Sequence, residues 1–362
     1  MNQAATEGPG GPSMAGRSAG RMVTRAASVT PAVSSVAAVV LAMVIGGLFL
    51  LARGHDPVEV YRLIGERGFL DGDGLQETVQ KMAPVLLIGT GLLVSLRAGV
   101  WNIGLDGQVV VGALAAGVVA GALVGEPRVV LLIAGLLAGV VGGLGWAVAP
   151  TALRIRFGLN EIITTLMMNY VAFNAVSWLA KGPFRDPDRN APQTTPIPLG
   201  QRLPDIPGTS VHVGLLLGLV AVGGVALLFR STVLGTMLDV LGRSPRAAAH
   251  VGFPTGRLIA TALLTSGALA GLAGAVEVLG VAGLFNANAA PSYGFTAFAL
   301  VYLARLRAWA MVPLALLLSG LLVGGPAMSR RAGVPSEFVE MLEGLLLLSF
   351  AVAVWAERRW AR

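Results

Sequence analysis

Long apolar runs separated by short polar segments dominate this chain, and their lengths predict helices that cross a membrane. Most runs reach the roughly 18 residues that a bilayer-crossing helix needs. They are continuously rich in Ala, Leu, Val and Gly, whereas strands of a membrane barrel alternate apolar and polar positions over about ten residues. The uncharged runs are Ala26–Ala52, Met82–Leu96, Gly107–Gly125, Val129–Leu153, Ile162–Ala180, Ile206–Phe229, Leu258–Val276, Val278–Ala304 and Ala308–Ser329.

This pattern predicts an all-α fold, a polytopic membrane helix bundle with about ten transmembrane helices. The run 278–304 is interrupted by Asn286, Asn288 and Pro291. The interruption predicts the end of one helix, then a loop or short helix, then a second short span. The number of helices therefore lies between about nine and eleven.

The polar segments predict how the chain is ordered across the membrane. Residues 1–28 are rich in Gly, Ala and Ser and carry three arginines, a composition that cannot bury a core, so we expect a disordered cytoplasmic tail before a transmembrane domain at 29–357. With both termini inside, most arginines between the runs fall on the cytoplasmic side, as the positive-inside rule requires. The external segments are then 53–81 and 182–210, and 238–257 is a cytoplasmic loop.

Composition supports a membrane protein and excludes several chemistries. Hydrophobic residues make up 55% of the chain and charged residues 12%, against roughly 25% charged residues in soluble domains. The chain has no cysteine, which excludes disulfides, thiol catalysis and Cys-ligated zinc, and its three scattered histidines form no metal-binding motif. We expect no metal site. The basic residues are scattered, so we expect no nucleic-acid partner. Neither Lys81 nor Lys181 lies in a phosphate-binding loop, so energy for work against a gradient must come from a partner or an ion.

The stretch "NIGLDGQ" places Asn102, Asp106 and Gln108 beside a predicted membrane helix. Asn102 and Asp106 are four residues apart, so we expect them on one helical face, with Gln108 pointing elsewhere. A carboxylate inside a membrane costs about 2.5 to 3.5 kcal/mol on insertion scales, so Asp106 should face protein or water. Two interpretations stay open: a helix-helix hydrogen bond, or a wall of a translocation cavity.

A second polar stretch, "NEIITTLMMNY", starts another span. Asn160 is expected to cap the helix, and Glu161 lies in the first turn, where the helix dipole favours an anion. Thr165 and Asn169 lie one and two turns further along the same face. Capping explains the first two residues but leaves Thr165 and Asn169 as candidates for the solute path.

Two further polar segments lie near the predicted membrane surfaces. In 238–258, Ser244 is expected to cap a short surface helix that begins at Pro245 and stops at Gly252. That helix is either an ordinary interfacial helix or a docking element for a cytoplasmic partner. Near the C-terminus, glutamates three residues apart are interpreted as a solvated interfacial face, namely Glu337, Glu340 and Glu343.

These motifs, in order, resemble the permease subunits of bacterial ABC importers in the branched-chain amino acid and ribose permease group, most of all the nucleoside-type branch. The resemblance covers about 75–353. Its motifs are "NIGLDGQ", "FGLNEIITTLMMNY", "GRSPRAAAHVGF", the Ser266–Gly274 helix segment, "SYGF" and "AGVPSEFVEMLEGL".

The resemblance implies a type II importer-like bundle in the inner membrane, with both termini cytoplasmic. Its expected partners are membrane lipid, a second permease subunit, cytoplasmic ATPase subunits that bind ATP and Mg²⁺, and an extracytoplasmic solute-binding protein. The chain itself would then be no enzyme, have no catalytic residue and need no cofactor. The implied substrate-pathway residues are Asn102, Asp106, Gln108, Thr165, Asn169, Glu277, Tyr293 and Phe295. The implied ATPase-coupling residues are Arg243, Ser244, Pro245, Arg246, Ala248 and Gly252.

The expected solute is a nucleoside or similar small polar molecule, and a simple sugar or a vitamin stays an alternative. A rival from another class is an ion-coupled secondary transporter, in which Asp106 or Glu277 would be the coupling carboxylate. A membrane-embedded enzyme is a third possibility, but the chain lacks a His or Cys cluster and a paired nucleophile and base.

Overall fold

A computed structural model describes residues 36–189, 191–289 and 293–360 of the chain. The expected tail at 1–28 lies outside these residues. The α-helices are α1 (Val36–Ala52), α2 (Pro57–Gly65), α3 (Gly72–Arg97), α4 (Leu105–Ala122), α5 (Arg128–Phe157), α6 (Glu161–Lys181), α7 (Gly214–Ser231), α8 (Val233–Arg243), α9 (Pro245–His250), α10 (Thr255–Val276), α11 (Gly294–Leu303), α12 (Met311–Ala332) and α13 (Glu337–Trp360). Two π-helical segments, Glu66–Leu70 and Glu277–Ala282, precede α3 and extend α10.

The all-α membrane bundle is confirmed. Within the described residues, eight helices are long and apolar enough to cross a bilayer, and α1 and α11 are shorter apolar helices. The interrupted run 278–304 divides as predicted, because its first part completes the α10 span and its second part forms α11. Continuous helices suit the bilayer because each satisfies its own backbone hydrogen bonds.

The two ends of the bundle differ in structure. One end carries the long segment 182–213, and we call it the loop end; the other carries α9, and we call it the α9 end. Several hydrogen bonds hold the long segment to the bundle, among them one from the Ser210 amide to Gln76 Oε1 (2.7 Å) and one from the Thr194 amide to the Phe285 carbonyl (3.0 Å). Helix α3 already begins at Gly72, within the segment 53–81 that the sequence predicts to be external.

Close glycine contacts hold α4, α5 and α10 together. A Cβ added at Gly271 of α10 would lie 2.2 Å from the carbonyl oxygen of Gly139 and 2.8 Å from the Cα of Gly143, both on α5. A Cβ at Gly112 of α4 would lie 2.4 Å from the Cα of Gly271. Membrane helices cannot be driven together by exclusion from lipid, so this close backbone approach is a main source of their attraction.

The helices of the bundle are unequally buried. Most of α3 is buried, whereas most residues of α5, α6 and α7 are partly or fully exposed. Large exposed side chains on α6 include Met167, Tyr170 and Trp178. These three helices therefore form part of the outer surface that lipid or another subunit can cover.

Candidate functional site

The side chains of Asn102 and Gln108 bind each other in the turn that leads into α4. Asn102 Nδ2 donates to Gln108 Oε1 (2.8 Å) and to Ser266 Oγ on α10 (2.9 Å), and Gln108 Nε2 donates back to Asn102 Oδ1 (3.2 Å). The prediction that Gln108 points away from Asn102 was wrong. Because α4 begins only at Leu105, Asn102 precedes the helix and does not share a helical face with Asp106. Both amides are fully buried, and they lock α4 against α10.

Asp106 caps a different helix. Its Oδ1 accepts hydrogen bonds from the backbone N–H groups of Tyr293 and Gly294, each at 2.8 Å. These groups belong to the N-terminus of α11, where the first N–H groups have no partner inside the helix and the dipole favours a negative charge. The carboxylate of α4 therefore determines where the short helix α11 begins.

Thr165 and Asn169 fasten α6 to the same turn. The Ile103 amide donates to Thr165 Oγ1 (3.1 Å), and Asn169 bonds both the Ile103 carbonyl (2.8 Å) and the Gly107 amide (2.8 Å). Both side chains are buried. In this conformation they satisfy backbone groups of 102–107, so the polar face of α6 is used for packing.

The cap at the start of α6 is confirmed. Asn160 Oδ1 accepts from the Ile162 amide (2.9 Å), and Glu161 forms an ion pair with Arg154 (3.2 Å). The pair joins the end of α5 to the start of α6 at the α9 end of the bundle.

A buried charged cluster lies between α3, the π-helical end of α10 and Tyr293. Lys81 Nζ donates to Glu277 Oε1 (2.5 Å) and to Tyr293 Oη (3.1 Å), and Tyr293 Oη donates to Glu277 Oε2 (2.9 Å). The Tyr293 side chain is buried, and its hydroxyl group bonds both members of the ion pair. The sequence analysis included Glu277 and Tyr293 among the pathway residues but not Lys81. The sequence feature that could have identified Lys81 is its position as a lone lysine directly before an apolar run.

The cluster forms part of the wall of a polar cavity of about 370 Å³ near the loop end. Its polar lining residues are Glu77, Lys81, Glu277, Asn286 and Tyr293. Apolar side chains from the end of α10 and from α12 complete the wall. The described residues contain no group of three His, Cys, Asp or Glu side chains that could hold a metal ion.

Phe295 lies in a separate cavity of about 660 Å³ whose lining is almost wholly apolar. The cavity is also lined by Trp101, Phe298 and Tyr302. The ring centroids of these three residues lie 6.0 to 6.5 Å from one another. Asp106 and Tyr293 are therefore in contact, whereas Phe295, two residues after Tyr293, lines the apolar cavity and not the polar one.

Glu343 departs from the interpretation of the C-terminal glutamates. Glu337 and Glu340 are exposed, as a solvated face requires, but Glu343 is buried and accepts from Thr296 Oγ1 on α11 (2.8 and 2.9 Å to its two oxygens). The prediction of a shared solvated face was therefore wrong for Glu343. The contact ties α13 to α11.

The surface helix α9 is shorter than the coupling segment that the sequence suggested. Ser244 caps it by accepting from the Ala247 amide (3.2 Å), Pro245 occupies its first turn, and Gly252 follows its end with φ +83°. Ala248 is fully buried within its own chain, whereas Arg243 and Arg246 are exposed. A partner could therefore touch Arg246 but not the Ala248 side chain.

A joint connects α8, directly before α9, with the end of α3. Arg97 Nε donates to Asp239 Oδ1 (2.8 Å), a second guanidinium nitrogen bonds Oδ2, and the guanidinium lies 3.8 Å from the ring centroid of Phe229. A Cβ at Gly242 would lie 2.0 Å from the Arg97 carbonyl oxygen, so the two backbones are in close contact. Motion of α8 would therefore displace the turn that leads to Asn102.

Comparison with known proteins places these features in a family. Residues 75–351 match the family described as branched-chain amino acid transport system, permease component. The chain is 33% identical to a glucose ABC transporter permease of Haloferax volcanii, covering 89% of this chain and 88% of the relative. It is 30% identical to a guanosine ABC transporter permease of Bacillus subtilis (87% and 91%) and 27% identical to a nucleoside ABC transporter permease of Lactococcus lactis (87% and 89%).

Proposed function

The chain belongs to the branched-chain amino acid transport system permease family, as a permease subunit of an ABC importer, and we propose that its solute is a neutral molecule carrying a sugar ring. The observation that carries the proposal is the similarity, over nearly the whole chain, to permeases named for glucose, guanosine and nucleosides. Glucose and nucleosides share a ring with several hydroxyl groups. A nucleoside or a monosaccharide is therefore the expected class.

The rival of an ion-coupled transporter is not favoured by this family. An ion-coupled transporter would need Asp106 or Glu277 to bind the coupling ion, but both carboxylates are engaged within the protein in this conformation. Asp106 caps α11, and Glu277 is paired with Lys81. We expect energy to come instead from cytoplasmic ATPase subunits that bind ATP and Mg²⁺.

The complete importer would contain two permease subunits, two ATPases and an extracytoplasmic solute-binding protein. Helix α9 is the proposed contact for the ATPase, because it is a short capped helix that projects exposed side chains between two spans. Its available surface is formed by Arg246, Ala247, Ala249 and His250. Closure of the ATPases would move α9, and the Arg97–Asp239 joint would pass that motion to α3 and to the turn before α4.

The same assignment determines sidedness. If α9 binds the ATPase, the α9 end faces the cytoplasm and the loop end faces outward, where the solute-binding protein docks. Both chain termini are then expected in the cytoplasm. The expected location is the bacterial inner membrane.

The test is a purified importer that carries Ala249→Trp, a bulky replacement on the exposed face of α9. At an interface as dense as a core, overpacking costs about 1 to 3 kcal/mol, so we expect loss of the ATPase subunits on purification, or ATP hydrolysis without uptake in liposomes. The matched control is Leu199→Trp, whose side chain is exposed at the opposite end and which should retain the ATPases. Full ATPase retention and normal ATP-driven uptake by the Ala249→Trp importer would exclude α9 as the contact. Wild-type liposomes that accumulate neither nucleosides nor sugars would refute the proposed solute class.

A further inference from the structure

The polar cavity near the loop end has a wall chemistry suited to hydroxyl groups. Lys81 has three N–H donors and uses two of them on Glu277 and Tyr293, which leaves one for the cavity among the described residues. Each oxygen of Glu277 accepts one hydrogen bond, from Lys81 or from Tyr293, and keeps a second lone pair. A donor and two acceptors thus lie side by side, which is the complement of two adjacent hydroxyl groups.

The charges of the cavity wall cancel. Lys81 and Glu277 form an ion pair, and the second carboxylate of the lining, Glu77, is paired with Arg67 at 2.7 Å. A phosphate or an ammonium group would meet no uncompensated opposite charge there, so the wall favours an uncharged ligand over an ionic one. The volume of about 370 Å³ lies within the usual range of small-molecule sites and accommodates one monosaccharide or one nucleoside.

The cavity lies near the loop end, which faces outward under the proposed function. Lys81 follows Gln80 in the chain, and the Gln80 side chain donates a hydrogen bond to the Ser210 carbonyl in the long segment of the loop end. Tyr293 connects the cavity directly to α11, the helix that Asp106 caps. Occupation of the cavity can therefore be sensed by the network that leads to the α9 end.

We infer that this cavity is a solute-binding subsite of the permease itself, in which Lys81 and Glu277 bind adjacent hydroxyl groups of a sugar ring. The inference rests on the proposed function for its solute class, and it assigns the recognition chemistry to particular side chains. Glu277 accepts from one hydroxyl while Lys81 donates to the neighbouring one, and the apolar side of the cavity covers the ring.

The absence of cysteine from the chain permits a direct test. Leu322→Cys places one thiol in the wall of the cavity, and Leu199→Cys places one on the exposed surface of the same end. The rate at which 2-aminoethyl methanethiosulfonate labels each thiol is measured on the purified importer without its binding protein. The probes are D-ribose, guanosine and adenine, the last a base without a sugar.

D-Ribose and guanosine are expected to slow labelling of the Leu322→Cys thiol several-fold, adenine to have no effect, and labelling of the Leu199→Cys thiol to be unchanged. Adding the pair Lys81→Met and Glu277→Gln removes both charges together, so that no buried charge is left unpaired. Because hydrogen bonds to charged groups are lost, the half-protecting concentration of D-ribose should rise about tenfold or more. The matched control adds Asp73→Asn instead, which neutralises an exposed carboxylate of α3 outside the cavity lining and should leave that concentration unchanged.

Two kinds of result would overturn the inference. If no probe protects the Leu322→Cys thiol, or adenine protects as well as D-ribose, the cavity does not bind sugar hydroxyls. If the neutral pair changes labelling without solute but not the half-protecting concentration, the cluster only fastens α3 to α10. ATP-driven uptake by the wild-type importer, measured in parallel, separates these failures from failure of the proposed function, because uptake without protection refutes the subsite alone.

Discussion

Replacing Asp106 tests whether one carboxylate of α4 sets the position of α11. Asp106→Asn keeps an oxygen that can accept from the Tyr293 and Gly294 amides, whereas Asp106→Leu has no acceptor. The leucine variant leaves the backbone N–H groups of these two buried residues without this acceptor. We therefore expect Asp106→Leu to be much less stable than Asp106→Asn.

The expected magnitudes follow from the contacts. An unsatisfied buried donor costs about 1 to 3 kcal/mol, so two of them give about 2 to 6 kcal/mol for Asp106→Leu. Asp106→Asn loses mainly the attraction between a negative charge and the helix N-terminus, about 0.3 to 1 kcal/mol and up to about 2 when partly buried. As a control, Asp73→Leu removes an exposed carboxylate from the first turn of α3 and should cost about 1 kcal/mol or less.

The free energy of unfolding of the purified permease can be measured by titrating mixed micelles with dodecyl sulfate and recording tryptophan fluorescence. Uptake by the reassembled importer is measured in parallel. Uptake should fall in both variants and fall further in Asp106→Leu, because the misplaced α11 carries Tyr293 out of the polar cavity. A leucine variant as stable as the Asp73→Leu control, with full uptake, would refute the capping role.

Three further predictions concern the glycine contacts, the Arg97–Asp239 joint and the sidedness of the bundle. Gly271→Ala should destabilise the permease by about 1 to 3 kcal/mol in the same titration. The control Gly145→Ala has open space around its added Cβ and should be neutral or slightly stabilising. Equal stabilities of the two variants would contradict the close glycine packing. Arg97→Asp and Asp239→Arg should each reduce uptake while the double exchange partly restores it, and the joint transmits nothing if the single variants transport normally. An Asp188→Cys thiol, exposed in the long segment, should react with an impermeant maleimide on intact cells, and labelling only after lysis would invert the proposed sidedness.

The long apolar helices and two helix caps follow from the amino-acid sequence alone. Continuous apolar runs must form helices in lipid, because no water is available to satisfy the backbone. Local spacing also predicted the caps at Asn160 and Ser244, since a cap bonds an amide only two or three residues away. The broken run before α11 was likewise readable from two asparagines and a proline.

The partners of the polar side chains, by contrast, depend on how the helices pack together. Asp106 bonds amides 187 and 188 residues away, and Lys81 pairs with a carboxylate 196 residues away. Periodicity shows which face of a helix carries a polar group, but the partner depends on which helices lie together and at what height. That register is set by backbone contacts such as Gly112 against Gly271, which hold helices at distances no local pattern encodes. The buried contact between Glu343 and Thr296 arose in the same way, since packing of α13 on α11 removed one glutamate of an otherwise exposed set from water.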